Sequence, residues 1–384
     1  MQENQVEVWS VSHLNALRGL AALAVAYSHA RVLFFPPLAI ASGAPGPRYM
    51  TIGHEAVMIF FVLSGYLVGG SVLRSIRCQS WSWRDYLIKR LVRLWIVLIP
   101  AIAITVLLDT LGIHLFGGSG SVYEVGSRLE FVAPDVLAVE HSGSVILGNV
   151  FFLQTVLFPQ VGTNIPVWSL AYEFWYYIAF PCALMAADRR SSLSGRLAAA
   201  VAVVAILALL GRDGALLMLP WLMGAAVSQL PRAIPPRLRA GAAWCAVAGV
   251  AVVFLASKKY ALELHWAELA SGLAASLLIY AVICQDQSAK TGLYAKVSDM
   301  LARISYTFYL THMPFMVFLF AAFGGVWAIR SVSAGSLLQF FGSYLATLAW
   351  ACIVYWLFES RTDAVREAVM RLIGTRLLPT MPPE

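Results

Sequence analysis

Two ionisable residues stand inside the first long apolar stretch of this chain. Arg18 and His29 lie within residues 13–31, a run dominated by Leu, Ala and Val. On a helix, their offset of eleven positions places the two side chains roughly 20° apart in azimuth and roughly 16 Å apart along the axis. One face then carries a permanent cation near one membrane surface and an imidazole in or beyond the midplane. An ionisable group at that depth costs about 2.5–3.5 kcal/mol on the insertion scale, so it is kept for a partner or a task. A positioned imidazole can serve as a general base. Against that stand two plainer readings, polar contact between helices and an arginine that snorkels to the interface.

Further polar groups recur at helical spacing in later apolar runs. Residues 164–187 place Glu173 near mid-membrane, with Ser169, Tyr176 and Tyr177 on its face at i−4, i+3 and i+4. A carboxylate there is protonated or paired with a cation, and Arg18 and His29 are the candidates. Ser305, Tyr309 and His312 form one stripe at i, i+4 and i+7. Together these residues imply a polar cavity inside the bundle. The second apolar run opens on Gly53-His54-Glu55, at the outer end where an acceptor could be read, and later carries Ser64-Gly65, a pair suited to close helix packing.

The most basic segment holds Arg74, Arg77, Arg84, Lys89, Arg90 and Arg93. Lys89, Arg90 and Arg93 share one helical face. Such a cluster serves topology and anionic lipid headgroups, or it cradles the phosphates of a nucleotide-like donor through bidentate Arg forks. Phosphate-binding Gly-Lys loops, a dinucleotide fingerprint, a Gly-x-Ser-x-Gly elbow and a His-Glu-x-x-His zinc motif are all missing from the sequence. No metal site is expected.

The elements that must hold these groups follow from composition. Of 384 residues, 60% are hydrophobic and only 12% charged; a soluble domain carries about 25% charged residues. The chain reads as an all-α polytopic membrane protein, a bundle of about ten transmembrane helices. The expected spans are 13–35, 53–73, 92–112, 164–187, 197–211, 214–230, 240–257, 264–284, 304–328 and 335–358. With both termini cytoplasmic, 20 of the 27 Lys and Arg fall on the inner side and 7 outside, which favours N-in and C-in. The net charge of +7 is thus an orientation signal, and no nucleic-acid partner is implied. Five cysteines without paired spacing fall at or near the inner side, as suits a reducing cytosol. Glu3 and Glu7 argue against a cleaved signal peptide. The acidic outer segment 113–163 carries Glu124, Glu130, Asp135 and Glu140 against Arg128, and its end, 145–158, is expected to be re-entrant or interfacial. Residues 361–384 form a basic, amphipathic cytoplasmic tail.

Five motifs in order resemble acyltransferase family 3, membrane O-acyltransferases that modify extracellular sugars. Leu17-Arg18-Gly19-Leu20-Ala21 with His29 is similar to the family's Arg-x10-His helix. Phe60-Phe61-Val62-Leu63-Ser64-Gly65-Tyr66-Leu67 resembles its second-helix signature, and Lys89-Arg90 with Arg93 and Pro100 its basic third-helix opening. Trp168-Ser169-Leu170 with Glu173, Tyr177 and Pro181, and Ser305-Tyr306 with Tyr309, Leu310 and His312, look like its remaining two segments. The resemblance spans most of the chain and implies a stand-alone transmembrane domain over residues 1–360.

That resemblance implies an acyl-CoA donor, usually acetyl-CoA, a hydroxyl acceptor on a glycan or glycolipid, and a bacterial inner membrane. Arg84, Lys89, Arg90 and Arg93 would hold the CoA phosphates, with His29 as general base and Glu173 orienting or stabilising its imidazole. Arg18, Tyr309 or the Ser64-Gly65 region would stabilise the oxyanion; His312, Trp168 and Tyr177 complete the candidates for substrate contact. Direct transfer and an acyl-His29 relay both fit. The competing class is a proton-coupled secondary transporter or flippase of a saccharide or lipid-linked substrate, and a third is a non-catalytic scaffold.

Overall fold

A computed structural model describes residues 8–35, 52–118, 121–123, 140–260, 263–285, 292–324 and 332–373. Among these the architecture is helical throughout, with one isolated bridge between Gln154 and Phe158. The helices are α1 (Val8–Phe34), α2 (Gly53–Arg77), α3 (Trp83–Phe116), the short α4 (Gly143–Val150), α5 (Trp168–Ala187), α6 (Leu193–Val227), α7 (Pro236–Lys259), α8 (Leu264–Ile283), α9 (Leu293–Ala322), α10 (Ala334–Leu357) and the short α11 (Thr362–Leu372). Seven stretches among the described residues are long and apolar enough to cross a membrane by length and composition, where about ten were expected.

Several boundaries differ from the sequence expectation for identifiable reasons. α3 begins at Trp83 rather than near 92, because Ser82 caps it by accepting from the Asp85 amide at 3.3 Å. Its basic first turns are helical without being apolar, so hydropathy does not see them. α9 likewise starts at Leu293, eleven residues before 304, and ends at Ala322. The spans expected at 197–211 and 214–230 form one element, α6, broken at Gly211 (φ 68°, ψ −173°). The break makes a hairpin. Arg196, early in α6, donates to the Ala186 carbonyl at the end of α5, whereas Gly214, just past the break, packs on Tyr172 near the start of α5. Farther along, Trp221 meets Phe180 of α5. The first arm therefore runs antiparallel to α5 and the second parallel to it.

α1, α2, α5 and α9 occupy the centre. Ala22, Ala26 and Ala30 of α1 give Met313, Val317 and Phe320 of α9 room to pack closely. α2 and the second arm of α6 approach until backbone meets backbone. A Cβ on Gly65 would strike the Trp221 carbonyl, and one on Gly224 the Val62 carbonyl. This is the close packing expected of Ser64-Gly65, and α2 accommodates it with a π turn over Gly65–Gly69. α7 and the first arm of α6 instead turn large apolar side chains outward, among them Trp244, Leu255 and Val201, as a lipid-facing rim does.

In the outer segment, Glu124, Arg128, Glu130 and Asp135 lie outside the described residues, as do Glu3, Glu7 and the tail beyond Ile373. The stretch expected to be re-entrant is α4 followed by an irregular turn in which Phe152 and Thr155 adopt positive φ. Buried Asn149 holds that turn together, donating to the Val145 and Pro159 carbonyls and accepting from the Val161 amide. α11 folds back on α3, where Arg84 donates to the Ile373 carbonyl.

Candidate active site

His29 of α1 and His312 of α9 face each other. His29 Nδ1 lies 2.8 Å from His312 Nε2. The other nitrogen of His312, Nδ1, lies 3.0 Å from the Phe308 carbonyl and 2.9 Å from the Tyr309 carbonyl. A carbonyl only accepts, so His312 carries its proton on Nδ1 and offers a bare Nε2. His29 must then donate through Nδ1, and its own Nε2 is left unprotonated. That nitrogen has no partner among the described residues, and His29 is only half-buried while His312 is wholly buried. The arrangement is an unprotonated ring nitrogen held in place by a backbone-anchored second ring.

α9 is locally built for this. Pro314 cannot donate the amide that would bond the Leu310 carbonyl, and Asn164 supplies a donor instead at 2.8 Å. The Tyr309 hydroxyl, on the same stripe, lies 2.8 Å from Ser169 Oγ at the start of α5.

Glu173 makes its hydrogen bond elsewhere than His29. It accepts from the Tyr177 hydroxyl at 2.5 Å. Tyr177 in turn lies 3.0 Å from Ser64 Oγ, which also receives the Trp221 indole N–H at 3.1 Å. The directions are forced: Trp221 donates to Ser64, Ser64 to Tyr177 and Tyr177 to Glu173. Ser64 and Tyr177 each spend their single proton inside the protein, leaving Glu173 half-buried at the end of the wire.

The basic face of α3 is partly neutralised by a residue that the sequence reading did not single out. Arg93 pairs with Glu359, from the 3₁₀ turn after α10, and lies over the Tyr306 ring at 5.2 Å. Glu359 is 4% exposed and also accepts from the Thr307 amide and hydroxyl. Its one visible signal is that it is the first carboxylate after the apolar run Ala334–Leu357. Arg18, eleven residues before His29, lies within electrostatic reach of Arg93, Tyr177, Glu359 and Glu173. Arg90 stacks over Tyr86 at 5.9 Å, and Tyr86 hydrogen-bonds the Tyr177 carbonyl at 2.9 Å. Lys89 and Arg84 are exposed. The structure thus joins Arg18, Arg90, Arg93, Glu173 and Tyr177 in one neighbourhood, with His29 farther along α1 and His312 and Tyr309 beside it on α9.

At the other end, His54 of α2 stacks on Trp168 (centroids 5.5 Å, interplanar 7°) and lies 2.8 Å from Glu268 of α8. A separate buried carboxylate, Asp109, is filled by Thr163 (2.8 Å from its amide, 2.6 Å from its hydroxyl) and by His141 at 3.2 Å. No group of three or more His, Cys, Asp or Glu among the described residues is placed to hold a metal ion.

A cluster of arginines, a histidine pair and a helical membrane scaffold are common to carriers and to enzymes. Comparison with known proteins separates them: residues 11–356 match the family model described as an acyltransferase domain. The chain belongs to acyltransferase family 3. With its long apolar helices it is accordingly a multi-pass membrane protein. A curated relative, Acyltransferase MdmB of Streptomyces mycarofaciens, is 30% identical over 169 residues, covering 44% of this chain and 38% of that protein. No solved structure matches.

Proposed function

We propose that this acyltransferase moves an acyl group, acetyl by family resemblance, from cytosolic acyl-CoA to a hydroxyl of a glycan or glycan-like acceptor, with His29 as general base. The observation that carries the reading is the bare, accessible Nε2 of His29, fixed by His312. As the acceptor oxygen attacks the thioester carbonyl, its proton passes to His29 Nε2. The C–O bond forms, the C–S bond breaks, and the same proton goes to the departing CoA sulfur. His312 takes the orienting part expected of Glu173, because among the described residues it alone is hydrogen-bonded to the His29 ring. The positive charge that develops on His29 is shared into His312 and the two carbonyl dipoles behind it.

Arg93 and Arg90, with Lys89 and Arg84 at the exposed rim, hold the donor phosphates. Tyr309, positioned by Ser169, is the group available to the developing oxyanion, whereas Arg18, roughly 16 Å from His29 along α1, sits with the basic face instead. Ser64 is not, since its proton is committed to Tyr177. The topology that fits this chemistry is ten spans with both termini cytoplasmic, the two arms of α6 counting separately, in a bacterial inner membrane. The bare Nε2 equally suits a nucleophile, and an acetyl group trapped on His29 in the absence of acceptor would mark a covalent relay.

The test is acetyl-CoA consumption by purified protein in detergent with a panel of glycans. Wild type should turn over and His29→Ala should not. Binding and turnover both absent in folded wild type would sink the proposal and favour a different acyl donor.

A further inference from the structure

The polar groups unused by this reaction gather around His54. Glu268, 3% exposed, faces His54 Nε2 at 2.8 Å through Oε1 and His265 Nδ1 at 3.3 Å through Oε2. His265 Nε2 in turn faces Asp213 at 3.5 Å. A carboxylate only accepts, so His54 bears its proton on Nε2, and in the neutral ring Nδ1 is a bare acceptor. Nδ1 has no partner among the described residues. The His54 ring lies nearly parallel to the Trp168 indole, and 33% of the His54 side chain stays exposed. The pair forms a flat aromatic slab with one hydrogen-bond acceptor at its edge, braced from behind by a buried carboxylate. A pair kept only to join helices would close over its free edge; this one is left open.

The slab adjoins the base on two sides. Gly53 packs so closely on Ser28, the neighbour of His29, that a Cβ there would stand 2.9 Å from Ser28 Cβ. Ser169, the neighbour of Trp168, holds Tyr309, whose ring centroid lies 6.2 Å from that of His312. By contrast, the cluster of Asp109, His141 and Thr163 is more deeply buried, with 19% of the His141 side chain exposed.

We propose that the Trp168–His54 slab is the acceptor site and that it takes a pyranose-like ring. The C–H face of the sugar covers the aromatic surface, one ring hydroxyl donates to His54 Nδ1, and a second hydroxyl reaches His29 Nε2. This rests on the acyl transfer proposed above and names the class of acceptor it uses. A flat ring edged with hydroxyls matches both features of the slab, whereas a linear alkyl alcohol would use neither.

The test uses the full chain in detergent, with methyl glycosides of several hexoses and deoxyhexoses as probes. Binding is read by thermal shift and transfer by CoA release. Trp168→Leu and His54→Gln should each raise the KM of the best glycoside about tenfold, equal to about 1.4 kcal/mol, while the acetyl-CoA KM stays where it was. Trp168→Phe should recover most of the loss. His54→Gln retains a donor for Glu268, so it guards against simple misfolding. The inference is overturned if wild type binds none of the glycosides, if both variants keep the wild-type glycoside KM, or if the two KM values rise together. Glycoside binding that Trp168→Leu abolishes, in protein that never consumes acetyl-CoA, would uphold the slab and defeat only the donor assignment.

Discussion

Replacing His312 by Phe removes the ring that holds His29 without opening a cavity, because the two rings are close in size and the position is wholly buried. The Phe308 and Tyr309 carbonyls keep their backbone helix partners, so no buried acceptor is orphaned and the protein should fold. What is lost is the acceptor for His29 Nδ1–H, at 2.8 Å. In the resting enzyme that bond fixes the tautomer; in the transition state it is a hydrogen bond to a developing cation. A hydrogen bond to a charged group contributes about 1.5–3 kcal/mol, which corresponds to about a 10- to 150-fold fall in kcat. The acetyl-CoA KM should move by less than about twofold, since no contact joins His312 to the basic face of α3 proposed to hold the donor phosphates. Residues that act as a unit are not additive, so His29→Ala with His312→Phe should be no slower than His29→Ala alone. Steady-state CoA release at saturating acceptor measures all of this. A His312→Phe enzyme within threefold of wild-type kcat, or two substitutions whose effects multiply, would refute the relay.

Four further outcomes follow from the packing and the basic face. Arg93→Ala should raise the acetyl-CoA KM about tenfold by removing a charge-assisted phosphate contact, and Glu359→Gln should lower the melting temperature in detergent, because Gln offers one acceptor oxygen where Arg93 and Thr307 use two and leaves Arg93 without its buried counter-charge; steady-state kinetics and a melting curve check each. Gly224→Ala should cost about 1–3 kcal/mol in denaturant unfolding, since its Cβ would meet the Val62 carbonyl of α2, whereas Gly249→Ala, with open space around it, should leave stability unchanged or slightly raised.

The single-helix patterns were legible. Arg18 with His29, Glu173 with Tyr177, and Ser305 with Tyr309 and His312 all follow from a 3.6-residue period, and each set lies on one helix. What periodicity does not contain is the rotation of one helix against another. His29 and His312 are 283 residues apart, and nothing in either stripe says that one ring would hold the other while Glu173 turned to Tyr177. Glu359 was invisible for a different reason. A carboxylate just after an apolar helix reads as interfacial charge, and its burial depends on Arg93 and Thr307 from two other elements. The early starts of α3 and α9 were missed because hydropathy marks where a helix can sit in lipid, not where its hydrogen bonds begin. The hairpin at Gly211 was half legible: two short apolar runs separated by Arg212-Asp213 invite two helices, while the tight reversal needs a φ that glycine adopts freely.

α1 also acts as a ruler. It runs from Val8 to Phe34 without a proline or a break, so the roughly 16 Å rise between Arg18 and His29 is rigid. Arg18 lies in the electrostatic neighbourhood of Arg93, and the proposed base lies at the far end. A donor anchored by phosphate at one end must therefore carry its acyl carbon on a long arm to reach the other. Acetyl phosphate, whose acyl group sits directly on the phosphate, should fail as a donor even at high concentration. Acetyl-pantetheine keeps the thioester and most of the arm but lacks the nucleotide. It should react with a KM about tenfold or more above that of acetyl-CoA, and Arg93→Ala should leave that KM unchanged. The two donors separate anchoring from chemistry. Turnover of acetyl phosphate that depended on both His29 and Arg93 would show that phosphate and acyl carbon bind side by side, and the ruler would be wrong.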